Sequence, residues 1–138
     1  MIVDAGPLIA YIDADDDKHT MCRDFLETHS GPFIVPVLVI TEVTHLLCKR
    51  VGVEAEQKFL NDLDEEDFQV EQVAEADWPR IRELVAKYRG FPLGTADASV
   101  IAAAERLRIT QVATLDLRHF RKVNPNHCQA LTLLPHDA

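Results

Sequence analysis

The amino-acid sequence predicts an α/β fold: a three-layer α/β/α sandwich around a central, mainly parallel sheet of four to five strands. Two observations carry this reading. Short apolar runs rich in β-branched residues, such as Ile2-Val3 and Phe33-Ile34-Val35, lack the polar alternation of a half-exposed strand and suit a sheet covered on both faces. Between these runs lie stretches with apolar residues three and four apart, as in helices that cross over from one parallel strand to the next. No repeat, low-complexity linker or shift in composition divides residues 1–138, so the chain reads as a single domain with one substantial core.

The first strand is Ile2-Val3, ending at Asp4. Ala5-Gly6-Pro7 break the pattern before Leu8–Ile12 restart it, which places Pro7 in the first turn of a helix, where a missing N–H costs nothing. Asp13 to Lys18 (DADDDK) reads as a solvated acidic loop. Lys18 stands where a calcium loop needs its sharp-turn glycine. An amphipathic helix over 19–30 follows, with Met21, Cys22, Phe25 and Leu26 inward; Gly31-Pro32 stops it and Phe33–Val35 is the second strand. Pro36 opens a helix to about Val51, with Val39, Val43, Leu46 and Leu47 on its apolar face. Gly52 ends it, and another helix covers roughly 53–63 with Ala55, Phe59, Leu60 and Leu63 inward. The acid run Asp62–Asp67 is a solvated helix end and turn. Phe68–Val73 has the short alternation of a strand near the sheet edge. Asp77 is expected to cap a helix over about 78–89, and Thr95 another from Ala96 to about Leu107 with a thin, alanine-rich face. Gln111–Leu115 is the fourth strand, Arg118–Lys122 a short helical turn, and Ala130–Leu134 the last strand.

The composition is that of an ordinary globular protein, with 47% hydrophobic and 27% charged residues. A net charge of −9 argues against generic, charge-driven nucleic-acid binding, which needs a positive surface. It does not exclude a nuclease, because part of that charge can be a carboxylate cluster that metal ions neutralise. The rest leaves room for a basic protein partner. No apolar run approaches the ~20 residues of a membrane span, and no basic flank marks a signal peptide; a cytoplasmic location is expected. Cys22, Cys48 and Cys128 form no C-x-x-C pair and read as free thiols in a reducing compartment.

Four acids stand out. Asp4 lies at the carboxyl end of a central strand, the edge where open α/β sheets bind ligands, most of all where the strand order reverses. An unpaired carboxylate there is expensive without a cation. Glu42 shares a helix face with Val39, Val43 and Leu46, at offsets of three and four. Asp97 lies on the face of Val100, Ile101 and Ala104, although an acid in a first helical turn is also what the helix dipole favours. Asp116 follows the fourth strand at the same edge as Asp4, where capping the next turn would equally explain it. Four carboxylates converging without cations would repel one another. Oxygen-only ligation, with no Cys/His set at zinc spacing, selects Mg²⁺ or Mn²⁺. Such ions activate water and stabilise a departing oxygen in phosphodiester hydrolysis.

The residues Met1-Ile2-Val3-Asp4-Ala5-Gly6-Pro7-Leu8, Thr41-Glu42-Val43, Leu93-Gly94-Thr95-Ala96-Asp97-Ala98 and Ala113-Thr114-Leu115-Asp116-Leu117-Arg118-His119-Phe120 together resemble the PIN-domain ribonucleases, and more narrowly the VapC toxins of bacterial toxin–antitoxin pairs. Any one of these motifs is weak, but four in order over the whole chain are specific. The resemblance implies a Mg²⁺- or Mn²⁺-dependent endoribonuclease, usually dimeric, cleaving single-stranded or looped RNA such as tRNA or rRNA. It also implies a VapB-type antitoxin partner. Carried over by motif, Asp4, Glu42, Asp97 and Asp116 are the catalytic and metal-holding acids, and Thr114 matches a hydroxyl often near the metal. Asp4 and Asp97 are expected to hold the principal metal, with Glu42 acting directly or through water and Asp116 completing that site or a second one.

Arg118, Arg121 and Lys122 beside Asp116, and Lys49-Arg50 at the end of the Glu42 helix, are candidate phosphate contacts; surface charge is their plainer reading. His119 either hydrogen-bonds the substrate or supports the turn. The competing readings are a non-catalytic PIN-like module that binds RNA or protein, and a Mg²⁺-dependent phosphatase. A haloacid-dehalogenase phosphatase needs D-x-D, whereas Asp4 is followed by Ala5-Gly6, and no phosphate-cradling glycine motif occurs. Exposed apolar residues on the helices of 37–63 are the expected partner face.

Overall fold

The computed structural model describes residues 1–138, in which strands and helices alternate: β1 (Ile2–Val3), α1 (Ala5–Ile12), α2 (His19–Thr28), β2 (Ile34–Pro36), α3 (Val37–Arg50), α4 (Val53–Asp64), β3 (Gln69–Glu71), α5 (Asp77–Lys87), α6 (Thr95–Leu107), β4 (Gln111–Ala113), α7 (Leu117–Lys122) and β5 (Thr132–Leu134). The strands form one sheet in the order β3-β2-β1-β4-β5, and every neighbouring pair is parallel. The expected α/β sandwich is therefore present, with all five strands parallel. Connections from β1 to β3 run one way along the sheet and the β3–β4 connection runs back. With right-handed crossovers, this puts helices on both faces.

The core explains the continuous apolar strands. Ile2, Val3, Val35, Val112, Ala113 and Leu133 are wholly buried, as strands covered on both sides require. Helix α6 is buried over seven successive residues, Ala98–Ala104. Only small side chains let a helix be enclosed this fully, and the one hydroxyl among them, Ser99 Oγ, donates to the Ala96 carbonyl at 2.6 Å. Helices α5 and α6 pack on each other, as do α1 with α2 and α3, and α3 with α4.

Several expectations fail in detail. Met21 and Leu60, expected inside, are 42% and 40% exposed; Cys22 with Leu26 in α2, and Ala55 with Phe59 in α4, are the buried residues. Each stripe is narrower than its run of apolar residues. Thr95 does not cap α6: Gly94 occupies that position and no side chain bonds the free N–H groups. Asp77 is not a cap either but the first residue of α5. Its carboxylate accepts the Ala74 N–H at 2.9 Å and a forked pair from Arg106 Nε and Nη2 of α6 at 3.0 and 3.1 Å. Arg80 makes the matching fork to Glu105 at 2.8 and 2.9 Å. These ion pairs raise both guanidinium pKa values and join α5 to α6. All three cysteines are free thiols.

Asp77 is 5% exposed, and removing its carboxylate leaves the Ala74 N–H without its acceptor and Arg106 with Glu71 as its remaining carboxylate, so Asp77→Ala is expected to lower stability by about 1–3 kcal/mol. Urea unfolding measures this. A loss below about 0.5 kcal/mol would place the pair among surface bridges of little worth.

Candidate active site

The strand order reverses at β1, where the chain leads to β2 on one side and returns through β4 on the other. Side chains just beyond the carboxyl ends of β1 and β4 therefore meet over a crevice. Asp4 is the first of them, 5% exposed, its N–H donating to the Ala113 carbonyl at 2.9 Å. Thr114 extends β4 by bonding the Leu134 carbonyl. Its hydroxyl donates to Asp4 Oδ2 at 2.8 Å and accepts the Asp116 N–H at 3.0 Å. One hydroxyl thus ties the two strand ends together. Asp116 Oδ1 accepts the His119 N–H at 3.1 Å, which caps α7, and its Oδ2 lies 2.8 Å from His119 Nδ1. The cap and the site role coexist in one side chain.

Asp97 enters from the first turn of α6 and Glu42 from the middle of α3. Both, with Asp4 and Asp116, line a single cleft of about 500 Å³, so the four predicted acids are brought together. Glu42 sits at the exposed mouth rather than on the buried stripe of Val39, Val43 and Leu47. At the floor, α1 approaches the Asp116 turn closely: a Cβ on Gly6 would stand 3.2 Å from Leu115 Cβ, tight enough that Leu115 would have to shift.

The electrostatics reflect the crowding. Burial pushes the Asp4 carboxyl up to about 7, the charge of Asp97 adding to it and the Ala5 N–H and Thr114 hydroxyl opposing it. Burial and then Asp116 raise Asp97 above its ordinary value, and burial and then Asp97 raise Glu42. Carboxylates that repel while half-desolvated are what a bound cation relieves. No three of the acids are placed so that together they could hold a metal ion. Mg²⁺ keeps several of its waters and is held by one or two carboxylates, the oxygen donors this cleft offers. The donor set fits a hard cation.

One further acid lines the cleft beside the four, and so does one of the candidate phosphate contacts. Asp16, from the loop expected to be wholly solvated, reaches the cleft, and Arg50 is its one cation. Arg50 lines the cleft and Lys49 does not, although Lys49, seven residues after Glu42, is the nearer of the two to its helical face, so spacing alone does not pick Arg50 out. Nothing local marks Asp16 out from its acidic neighbours. Of the other candidate phosphate contacts, Arg121 is committed to Asp137. Arg118 and Lys122 lie over the Phe91 ring, and His119 is held by Asp116.

Comparison with known proteins identifies the family. The family model described as the PIN domain matches residues 1–124. The chain belongs to the PIN-domain family. Over 135 residues this PIN protein is 30% identical to Ribonuclease VapC26 of Mycobacterium tuberculosis, covering 98% of the chain and all of that relative. Its fold is similar to that of VapC20 from the same organism, a toxin that cleaves the sarcin–ricin loop, with a TM-score of 0.75 and 19% identity over 80% of this chain and 85% of that one. No helix is long and apolar enough to cross a membrane.

Between its ordinary 3.8 and about 7, Asp4 binds more protons in the folded chain than in the unfolded one. Stability therefore falls as pH rises through that window, and the penalty is complete above it. With chelator present, Asp4→Asn is expected to stabilise the fold at pH 8, by on the order of 1–3 kcal/mol, and to change it little at pH 4. Thermal melts at the two pH values check this; a variant no more stable at pH 8 than the parent would show that Asp4 carries no such penalty.

Proposed function

We infer that this PIN protein is a VapC-type endoribonuclease toxin that hydrolyses RNA phosphodiester bonds with Mg²⁺ or Mn²⁺. The observation that carries the reading is the convergence of Asp4, Glu42, Asp97 and Asp116, from four separate elements, on one cleft at the strand-order reversal. The ion would supply a water of lowered pKa and neutralise charge developing on the phosphate. Asp4 and Asp97 would hold it, with Glu42 and Asp116 on either side. The Thr114 hydroxyl occupies one oxygen of Asp4 and so sets which lone pairs face the cleft. No histidine base is required, and His119 is engaged with Asp116.

The ribonuclease name of the 30%-identical relative favours RNA as the substrate, and a looped tRNA or rRNA is the class we infer. An acidic cleft of this kind also favours a basic segment of a VapB-type antitoxin as its inhibitor. Val51 and Val53, 50% and 60% exposed at the α3–α4 turn, together with Leu60, are the surface we assign to a homodimer or to that antitoxin.

The test is 5′-end mapping of cellular RNA after brief induction of the protein, with Asp4→Asn and Asp97→Asn beside it. New 5′-phosphate ends at a few sites, absent in both variants, are expected. Identical maps from folded, Mg²⁺-loaded parent and variants would turn the reading towards a non-catalytic binding module. With a purified substrate, Thr114→Val is expected to lower kcat by about 10–100-fold, the cost typical of losing a group that orients a metal ligand.

A further inference from the structure

Charge is distributed very unevenly along the chain. In a protein of net charge −9, no acid occurs between Glu83 and Asp97 or between Asp116 and Asp137. The first stretch carries Lys87 and Arg89, the second Arg118, Arg121 and Lys122. The fold packs these two stretches against each other directly beside the cleft acids Asp97 and Asp116. Their junction is Phe91. Its ring lies 4.7 Å from the Arg118 guanidinium carbon, 5.7 Å from Lys122 Nζ and 4.7 Å from the centre of the His119 ring. The Asn124 N–H donates to Tyr88 Oη at 3.1 Å, which fixes the two stretches together.

Arg121 on the same short helix is neutralised by Asp137. Arg118 and Lys122 meet no carboxylate; both are exposed, while Phe91 is half-buried. An aromatic ring beneath a guanidinium holds the cation in place without consuming its donors. Such an ordered, unpaired cation loses little freedom when it binds an anion. Unpaired bases of single-stranded RNA stack on aromatic and guanidinium planes, while the adjoining phosphates take lysine and arginine.

We propose that Phe91, Arg118 and Lys122 form a docking platform for the RNA strand on the α7 side of the cleft, stacking a nucleobase next to the scissile phosphate and holding its backbone. The proposal rests on the ribonuclease reading above. It names an unpaired nucleotide of a single strand or loop as the group recognised, with little preference among bases because every base offers a π-face.

The probe is a fluorescein-labelled single-stranded RNA of mixed sequence. Its binding is followed by anisotropy in Mg²⁺ with full-length protein carrying Asp97→Asn, so that binding is read apart from cleavage. Phe91→Leu is expected to weaken binding about tenfold. Arg118→Gln and Lys122→Gln should each weaken it several-fold and each reduce the slope of log affinity against log salt by about 0.7. Arg108→Gln, beyond the far end of α6, is the charge-matched control and should change neither. Circular dichroism identifies any variant that does not fold, and the two exposed cation variants remain informative if Phe91→Leu is lost. In the cleaving parent, the same changes should raise KM with kcat nearly kept. Affinities and salt slopes equal to those of Arg108→Gln would overturn the platform, including where a protein partner is lost instead. A parent that neither binds nor cuts the RNA would overturn the ribonuclease reading and the platform with it.

Discussion

Strand β1 is only two residues long, yet it is paired on both sides: Ile2 with Ile34 and Val112, and Val3 with Ala113. Both residues are wholly buried, so hydrogen bonding and apolar burial fix the strand together. The next residue, Asp4, has no freedom to leave. Its N–H continues the ladder to Ala113, and its carboxylate is delivered to the crevice between β1 and β4 by the same forces that build the core. The site thus inherits its rigidity from the centre of the sheet, and a charge that is costly to bury is held where the fold cannot relax away from it.

The remaining acids arrive on elements that meet only through tertiary packing. Helix α6 brings Asp97 because its small residues let it sink into the core, and α3 brings Glu42 because Val39, Val43 and Leu47 anchor the opposite side of the helix. Thr114 links the β1 and β4 ends with a single hydroxyl. Repulsion among the acids therefore works against packing on four elements at once, and the packing prevails because each acid stands on its own buried support.

Much of this was legible in the sequence because the informative residues break local patterns. Asp4 interrupts an apolar run, Asp116 follows one, and Asp97 lies on a face otherwise made for burial. The strand and helix alternation was legible for the same reason, since two-sided burial leaves continuous apolar runs. What could not be read depends on contacts between distant segments. Phe91 looks like any loop aromatic until α7 is packed beside it, and Asp16 is indistinguishable from its acidic neighbours until the loop folds over the cleft. Local spacing offers Asp77 the role of a cap, whereas Arg106, twenty-nine residues away, supplies the partner that decides its position. Met21 and Leu60 were misplaced because an apolar residue can border a buried stripe without joining it.

The uneven distribution of acids also governs how a polyanion can meet this protein. The net charge is −9, and acids crowd the run Asp62–Asp67 and the loop Asp13–Asp17. The two acid-free stretches interrupt that negative charge beside the cleft. Orientation in the encounter is then selected by exclusion, with wrong collisions repelled before contact. For such a molecule, excess acidity would be a means of aiming a polyanion.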